Sequence, residues 1–466
     1  MSQAAQPGPA APSPWVKGLG LFDATTLVMG SMIGSGVFIV AADIGRQVNS
    51  PGLLMLVWLA TAILTLIAAL SYGELAAAMP HAGGQYVYLR EAFGPLAGFL
   101  YGWTLFTVIQ TGTIAAVAVA FAKFLGVFFP AVSTQNWLVK IGPAGVNTQM
   151  LVAIAVIILL TWVNTRGLRT GAMVQNVFTI AKIGALAALI GLGLLLGRRE
   201  DAIAANFTGF WRNAAFDWTT IRIAGVAMVG ALFSSDAWNN VTFTAGEVRN
   251  PRRNLPLSLA LGVGVVSLLY LLSNFVYLLA LPLAAIQNAA EDRVATAVIA
   301  QILGPAATQI MAAAVMVSTF GCVNGLILAG ARVYYAMAED GVFFQAVRRV
   351  DPAHHTPTVS LWVQCLWACA LTLTGRYSDL LDYVIFAVLL FYVLTIAGIF
   401  VLRRTRPAME RPYRAWGYPL LPAFYIAAGG LIEVLLLIYK PSYTWPGLIV
   451  VLLGIPVYFA WRRQGR

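Results

Sequence analysis

Long apolar runs recur along almost the whole chain, and they constrain its fold more than any other feature. A helix needs about 20 residues to cross the hydrocarbon core of a bilayer. Twelve runs of about this length lie near 22–46, 52–79, 95–127, 147–164, 171–197, 221–246, 256–281, 304–337, 357–375, 380–402, 417–440 and 443–461. Because helices satisfy their own backbone polar groups in lipid, the sequence predicts an all-α membrane protein with twelve transmembrane helices.

The composition excludes a soluble protein. Hydrophobic residues make up 60% of the 466 residues and charged residues only 10%, against about 25% charged residues in soluble domains. The net charge of +11 is spread over short loops, so it indicates membrane topology and not nucleic-acid binding. Most of the 29 Lys and Arg residues fall on the side of the two termini, which are therefore predicted to be cytoplasmic.

The remaining segments carry no signal for targeting, metal binding or disulfide formation. Residues 1–20 are rich in Pro and Ala without an apolar core, so they are predicted to be a disordered cytoplasmic tail that is not cleaved. Cys322, Cys365 and Cys369 lie within apolar runs and match no metal-ligand spacing. They are interpreted as small buried hydrophobic residues, and no metal or cofactor is expected.

Ionisable residues inside the apolar runs are candidate functional groups, because charge is costly in lipid. Lys182 is the twelfth residue of the run 171–197, about 16 Å along a helix. It is interpreted either as a lysine that carbonyls satisfy for packing alone or as a fixed cation that holds an unwound segment or senses a proton. Glu433 is interpreted either as a residue that makes a local hydrogen bond or as a functional group. Glu74 is predicted to pair with a loop arginine.

Two of the runs are interrupted by residues that weaken a helix. Gly30, Gly34 and Gly36 crowd the first run, where they favour either close helix packing or a break in the helix. At a break, free N–H groups face an anion and freed carbonyls receive an ammonium group, which suits a zwitterion. Asp236 lies in the polar stretch 234–240 of the sixth run.

Corresponding breaks in the first and sixth helices point to an inverted repeat with its binding site at the membrane midplane. The predicted division places helices 1–5 in a first repeat at 21–197 and helices 6–10 in a second repeat at 221–402. Two further helices occupy 415–461.

Six stretches of the chain match motifs of one known family. They are GSMIGSGVF at 30–38, ELA at 74–76, PHAGGQY at 80–86, VNTRG at 163–167, EVRNPRRNLP at 247–256 and RVYYAMA at 332–338. Over about 20–405 the chain resembles the amino acid–polyamine–organocation (APC) superfamily of permeases, especially the L-type amino acid transporter branch and its bacterial relatives. The resemblance implies a five-plus-five inverted-repeat fold of the LeuT type, with helices 1 and 6 unwound and transport by alternating access.

The resemblance also implies roles for particular residues. The residues expected to bind substrate lie on the two broken helices: Met32, Ile33, Gly34, Ser35 and Gly36 on the first, and Phe233, Ser234 and Asp236 on the sixth. Of these, Ile33, Gly34, Ser35 and Gly36 are expected to bind the substrate carboxylate. Met32 and the three residues of the sixth helix are expected to offer their carbonyls to the α-ammonium group. Lys182, Phe233 and Asp236 are expected to serve coupling or gating, with Lys182 in place of a sodium ion and Phe233 covering the substrate.

Two features depart from parts of that family. Many members that transport neutral substrates have a small residue at the position of Asp236. In this chain the Asp236 carboxyl group could receive a basic side chain of the substrate, titrate during transport or cap the broken helix. Animal members are disulfide-linked to a single-span glycoprotein through a cysteine after the third helix. Residues 131–146 contain no cysteine, so no disulfide-linked ancillary subunit is expected.

The sequence thus predicts a sodium-independent secondary transporter of L-amino acids in a bacterial inner membrane, working by exchange or by proton-coupled uptake. Neutral substrates are expected, with cationic ones left open. The alternatives are a polyamine or amine permease and a non-transporting amino acid sensor. An enzyme is disfavoured because His81, His354 and His355 all lie in loops. By position, the candidate residues for the pocket lining are Gln110, Asn324 and Phe386.

Overall fold

A computed structural model describes residues 15–141, 144–215, 217–374 and 377–464. These residues form nineteen α-helices and one antiparallel hairpin of two strands. The helices of the first half are α1 Leu21–Met32, α2 Gly36–Val48, α3 Pro51–Ala78, α4 Gln85–Phe93, α5 Pro95–Thr104, α6 Gln110–Leu125, α7 Thr148–Thr165, α8 Leu168–Leu195 and α9 Glu200–Phe207. A π-helical turn, Leu105–Ile109, joins α5 to α6, and the strands are β1 Trp137–Ile141 and β2 Ala144–Asn147.

The second half continues the helical pattern. Its helices are α10 Trp218–Ser234, α11 Asn240–Phe243, α12 Pro251–Ala280, α13 Leu283–Gln287, α14 Val294–Leu303, α15 Ala307–Glu339, α16 Thr358–Thr372, α17 Tyr377–Thr405, α18 Leu420–Tyr439 and α19 Pro441–Gln464. Short 3₁₀ turns occur at Ala245–Glu247, Ala290–Asp292 and Gln345–Arg348.

The chain is a multi-pass membrane protein. Within the described residues nine helices are long and apolar enough to span a membrane, or ten spans exist if the bent pair α1 and α2 counts as one. Each of the twelve predicted runs coincides with a helix or with consecutive helices. However, α10 and α16 have only 17 and 15 residues, so the number twelve stays a prediction.

Helix α15 lies at the centre of the bundle and contacts α1, α6, α7, α8 and α16. Small residues permit these close approaches. A Cβ atom at Gly325 would lie 2.7 Å from the Ser31 hydroxyl oxygen, and one at Gly330 would lie 2.3 Å from Oε1 of Gln364. Such contacts suit membrane helices, whose association depends on close packing since lipid supplies no hydrophobic driving force.

A buried amide network connects three of these helices. Asn324 on α15 donates to the Gly171 carbonyl at 3.1 Å and to Oε1 of Gln175 at 3.0 Å, and it accepts a hydrogen bond from Asn164 at 2.9 Å. The side chain of Asn324 therefore joins α15 to α7 and α8. Asn324 was a candidate for the pocket lining, but these hydrogen bonds occupy both the nitrogen and the oxygen of its side-chain amide.

The last residues of the predicted disordered tail contact the bundle. Leu19 donates its backbone N–H to the Glu247 carbonyl at 3.0 Å, and its carbonyl accepts the Arg249 N–H at 2.8 Å. The Trp15 ring lies edge-on to Tyr335, with the centroids 4.8 Å apart. Residues 15–20 are thus ordered against the bundle, while 1–14 lie outside the described residues.

Buried ion pairs hold the end of the bundle at which α3, α15 and α17 terminate, here called the arginine-rich end. Glu74 accepts hydrogen bonds from Arg403, in the last turn of α17, at 2.6 and 2.9 Å. It also lies 3.3 Å from Arg411 in the following loop, so the predicted pair with a loop arginine is present together with a helical one. Arg332 and Glu247 form a bidentate pair at 2.9 and 3.0 Å whose side chains are only 1% and 2% exposed.

We expect Arg332→Ala to lower the unfolding temperature of the detergent-solubilised protein markedly. The substitution leaves the Glu247 carboxylate buried without its partner, which typically costs about 3–5 kcal/mol. The matched control is Arg252→Ala, which removes the exposed pair with Glu410 and should cost less than about 1 kcal/mol. Tryptophan fluorescence during a thermal ramp measures both, and equal shifts for the two variants would contradict the prediction.

Candidate functional site

The first break in the membrane helices lies between α1 and α2. Helix α1 ends at Met32, α2 begins at Gly36, and their axes are bent by 41°. Ile33 between them is extended, with φ −77° and ψ 93°. The carbonyls at the end of α1 and the first N–H groups of α2 therefore lack the partners that a continuous helix would provide.

Lys182 satisfies two of these carbonyls. Its Nζ donates to the carbonyl oxygens of Gly30 at 2.7 Å, Ile33 at 2.8 Å and Ser318 at 3.1 Å, and the residue is fully buried. The ammonium group thus joins α8 to the broken first helix and to α15. These contacts fit both interpretations of Lys182, as a lysine that carbonyls satisfy for packing and as a cation that holds an unwound segment, so its role stays a prediction.

Ser318 supports the same segment from α15. Its hydroxyl oxygen lies 2.8 Å from the Gly34 carbonyl and 3.1 Å from the Ile33 carbonyl. Cys322, one turn further along α15, places its Sγ 3.1 Å from the Ser31 carbonyl. The carbonyls at the first break therefore have side-chain donors from two other helices.

The second break follows α10. That helix ends at Ser234, residues 235–239 are not helical, and the short helix α11 begins at Asn240. Ala237 has a left-handed backbone with φ +65°, which a non-glycine residue seldom adopts. The polar stretch predicted to interrupt the sixth run therefore does so, and the left-handed backbone of Ala237 lies within the interruption.

The two breaks contact each other. A Cβ atom at Gly36 would lie 2.1 Å from Oγ of Ser234 and 3.0 Å from its Cα, so the segments approach at a distance that only glycine permits. The Tyr270 hydroxyl lies 3.1 Å from the Met32 carbonyl and 3.0 Å from the Ser234 carbonyl. With a single hydrogen, it donates to one of these carbonyls at a time.

Asp236 is the acidic group of this region. It is 8% exposed, and the Tyr392 hydroxyl donates to its Oδ1 at 2.6 Å. No ion pair joins Asp236 to a cation within the described part of the chain. Asn239 lies beside it, since its Oδ1 is 3.1 Å from the same hydroxyl and its amide donates to Gln85 at 2.7 Å.

A small cavity lies beside Asp236. The residues that line it include Tyr101, Gln110, Asn239 and Tyr392. Gln110 was a candidate by position, and its amide also donates to the Leu326 carbonyl at 2.7 Å. Phe386, the third candidate, is buried at 2% exposure and is not among the residues that line this cavity.

The structure thus brings the expected binding residues together in two adjoining segments. Met32 to Gly36 form the first break, Phe233 and Ser234 end α10, and Asp236 lies in the non-helical stretch that follows. The side chains of Phe233 and Leu232 are half-buried, whereas those of Ser234 and Asp236 are buried. In chemical terms the site offers helix N–H groups to an anion, and carbonyls and one carboxyl group to a cation.

Sequence reasoning missed four polar side chains that complete this site. They are Tyr270, Tyr392, Ser318 and Asn239. Charged groups and glycines stand out in an apolar run, whereas these residues carry hydroxyl or amide groups that do not. A buried hydroxyl or amide group in a membrane helix needs a hydrogen-bond partner. Polar side chains of this kind inside apolar runs are therefore the sequence signal that could have indicated these four residues.

The cysteines and acidic groups do not gather into a metal site. Among the described residues, no group of three or more His, Cys, Asp or Glu side chains has the proximity to hold a metal ion. Cys322 and Cys365 are buried, Cys369 is half-buried, and all three are free thiols.

Comparison with known proteins gives consistent matches over almost the full length. Residues 19–459 match the amino acid permease family. Human Asc-type amino acid transporter 1 is 30% identical over 96% of this chain and 83% of its own length. The mouse large neutral amino acids transporter small subunit 2 is 31% identical over 95% and 80%, and the mouse b(0,+)-type amino acid transporter 1 is 29% identical over 96% and 90%.

Proposed function

We propose a transport function on the premise that the chain belongs to the amino acid permease family of the APC superfamily, in the branch of the L-type amino acid transporters. The family and its named relatives are transporters, so the prediction that the chain is not an enzyme is confirmed. The proposed activity is sodium-independent transport of L-amino acids by alternating access, either as exchange or as proton-coupled uptake.

One observation carries the proposal: the two broken helices meet where Gly36 contacts Ser234, and the Tyr270 hydroxyl lies within hydrogen-bond distance of one carbonyl on each. The N-terminal end of α2 offers positive partial charge to a substrate carboxylate, and the carbonyls at the ends of α1 and α10 offer negative partial charge to an α-ammonium group. The spacing of both poles within one region suits a zwitterion such as an amino acid.

We place the substrate between these segments. Ile33, Gly34, Ser35 and Gly36 receive the carboxylate, while the ammonium group meets the carbonyls of Met32, Phe233 and Ser234 with Asp236 beside them. Phe233 covers the substrate from the extracellular side, which its partial exposure supports. Lys182, which holds the Gly30 and Ile33 carbonyls, occupies the role of a coupling cation, so sodium is not required.

The proposed architecture has twelve spans in a five-plus-five inverted repeat. The first repeat occupies 21–197, the second 221–402 and the two outer helices 415–461. Breaks at corresponding helices support this division. Both termini are placed in the cytoplasm, which the concentration of arginines at the arginine-rich end supports.

We propose a bacterial inner membrane as the location, with the lipid bilayer and an L-amino acid as the interacting molecules. Neither nucleic acid nor a disulfide-linked subunit is proposed as a partner. Residues 131–146 contain no cysteine for such a link. A polyamine permease and a non-transporting sensor remain the alternative functions.

Uptake into liposomes containing the purified protein tests the proposal. Labelled L-alanine and L-arginine are offered with and without unlabelled amino acid inside and with a pH gradient. We expect alanine uptake that needs internal substrate or external acid and is independent of sodium. Uptake of polyamines without amino acids would favour the amine permease, and binding without uptake would favour the sensor.

Asp236→Asn tests whether the carboxylate selects the substrate. If Asp236 receives a basic side chain, removing its charge should lower arginine uptake about tenfold or more relative to alanine, because one charge-assisted contact is worth about 1.5–3 kcal/mol. The matched control is Asn239→Asp, which adds a carboxylate next to the same hydroxyl. An unchanged alanine-to-arginine ratio in Asp236→Asn would contradict the selective role.

A further inference from the structure

The segment that precedes α1, residues 15–20, forms a strap across the arginine-rich end of the bundle. Leu19 is only 2% exposed and forms a parallel β-bridge with Val248, which lies shortly after α11. The Arg249 side chain also donates through Nε to the Lys17 carbonyl at 3.2 Å. The strap leads directly into α1, so these contacts tie the first broken helix to the chain that follows the second break.

Trp15 attaches the same strap to α15. Its ring lies edge-on to Tyr335, and the ring centroid is 5.8 Å from Cζ of the Arg332 guanidinium group. A Cβ atom at Gly246 would lie 3.2 Å from Cδ1 of Trp15, so the indole packs directly against the chain between α11 and α12. Trp15 therefore lies between α15 and the segment after the second break, beside the buried pair of Arg332 and Glu247.

These contacts join the parts of the protein that must separate during transport. Helices α1, α11 and α15 contact one another at this end of the two breaks. For a substrate held between the breaks to leave toward the arginine-rich end, α1 and α11 have to move away from α15. The strap is continuous with α1 and bonded to the chain after α11, so it moves with them. Trp15 then loses its contact with Tyr335, and that contact exists only while this end is closed.

We propose that Trp15 is a gating residue that holds the arginine-rich end closed. Its edge-on contact with Tyr335 and its position over the Arg332 guanidinium stabilise the closed state and are lost in the open state, so they shift the population toward closure. The inference rests on the proposed function by alternating access. It assigns closure of the cytoplasmic side to a residue outside the binding site.

Cys322 reports whether this gate is open. Its thiol is buried, at 3% exposure, and lies 3.1 Å from the Ser31 carbonyl of α1. Movement of α1 away from α15 uncovers the thiol, so a small charged methanethiosulfonate reagent modifies it from the cytoplasm when this end is open. Cys365 and Cys369 are replaced by alanine in every variant, because Cys322 is then the only thiol in the chain.

The test measures the rate of Cys322 modification in inside-out membrane vesicles, where the reagent meets the cytoplasmic face. We expect Trp15→Ala to raise this rate about two- to tenfold, because the closed state loses an aromatic pair and the rate follows the open population. Trp15→Phe keeps an aromatic ring and should stay within about twofold of the parent. The matched control is Phe22→Ala, which removes a 59% exposed ring at the start of α1 and should leave the rate unchanged.

A second variant tests the same contact from α15. Tyr335→Leu removes the other ring and should give the same acceleration even if Trp15→Ala does not fold. In right-side-out vesicles neither variant should speed the modification, whereas a generally loosened fold would speed it from both faces. An unchanged rate at the cytoplasmic face, or equal acceleration from both faces, would overturn the inference.

The readout needs no substrate, so the gate and the transport function are tested separately. Alanine uptake by a protein whose labelling does not respond to Trp15→Ala leaves the proposed transport function in place and overturns the gate. Faster labelling in Trp15→Ala, in a protein that takes up neither amino acids nor polyamines, supports the gate and contradicts the transport function.

Discussion

Replacing Gly36 by alanine is expected to lower transport about 100-fold. The new Cβ atom would lie 2.1 Å from Oγ of Ser234 and 3.0 Å from its Cα, so the two broken helices must separate. Overpacking of this kind costs about 1–3 kcal/mol, and a cost near the upper limit corresponds to about 100-fold lower alanine uptake. The initial rate of labelled alanine uptake into liposomes measures the effect.

Gly34 provides the matched control for packing. A Cβ atom there would meet Sγ of Cys322 at 3.5 Å, an ordinary van der Waals distance, so Gly34→Ala should fold and unfold like the wild type. A rescue test removes the clashing side chain: Gly36→Ala with Ser234→Gly should recover part of the lost uptake. Wild-type uptake by Gly36→Ala alone would show that the contact between the two breaks is not needed.

Lys182→Met is expected to have the second large effect, on the rate of transport more than on substrate affinity. The methionine keeps most of the volume but removes the donor to the Gly30, Ile33 and Ser318 carbonyls. Hydrogen bonds from a charged group are worth about 1.5–3 kcal/mol each, and their loss frees the broken first helix from α8. We expect the maximal rate of uptake to fall about 100-fold or more, with KM changed less than about threefold.

Ser318→Ala separates this effect from a general loosening of the site. It removes one neutral hydroxyl donor near the Ile33 and Gly34 carbonyls and should lower the rate severalfold at most, since a neutral hydrogen bond contributes about 1 kcal/mol. If Lys182→Met transports at the wild-type rate, only the packing interpretation of Lys182 remains.

Several elements of the fold and site could be predicted from the sequence. Each apolar run coincides with a helix or with consecutive helices, and the breaks fall at the glycines around Gly34 and at the polar stretch around Asp236. These features are local, because the polarity and backbone freedom of neighbouring residues decide whether a segment stays helical in lipid. Lys182 was recognisable for the same reason, since a charge within an apolar run needs a partner.

The prediction failed for partners that come from distant segments. Tyr270 and Tyr392 carry ordinary hydroxyls in apolar runs, and nothing beside them in the chain indicates that one bridges both breaks and the other binds Asp236. Asn324 was expected near a pocket, but its amide joins α15 to α7 and α8. Residues 15–20 were predicted to be disordered, yet Leu19 pairs with backbone groups about 230 residues later.

The sequence by itself determined that this protein is a helical membrane protein, where its helices break and which charge lies deepest in its spans. Hydrophobic length and local helix propensity suffice for those conclusions. Only the tertiary structure decided that the two breaks touch, that Lys182 reaches three carbonyls and that Glu433 is buried without a hydrogen-bond partner among the described residues. Those outcomes depend on how helices far apart in the chain rotate and cross, and close packing between their side chains sets that geometry.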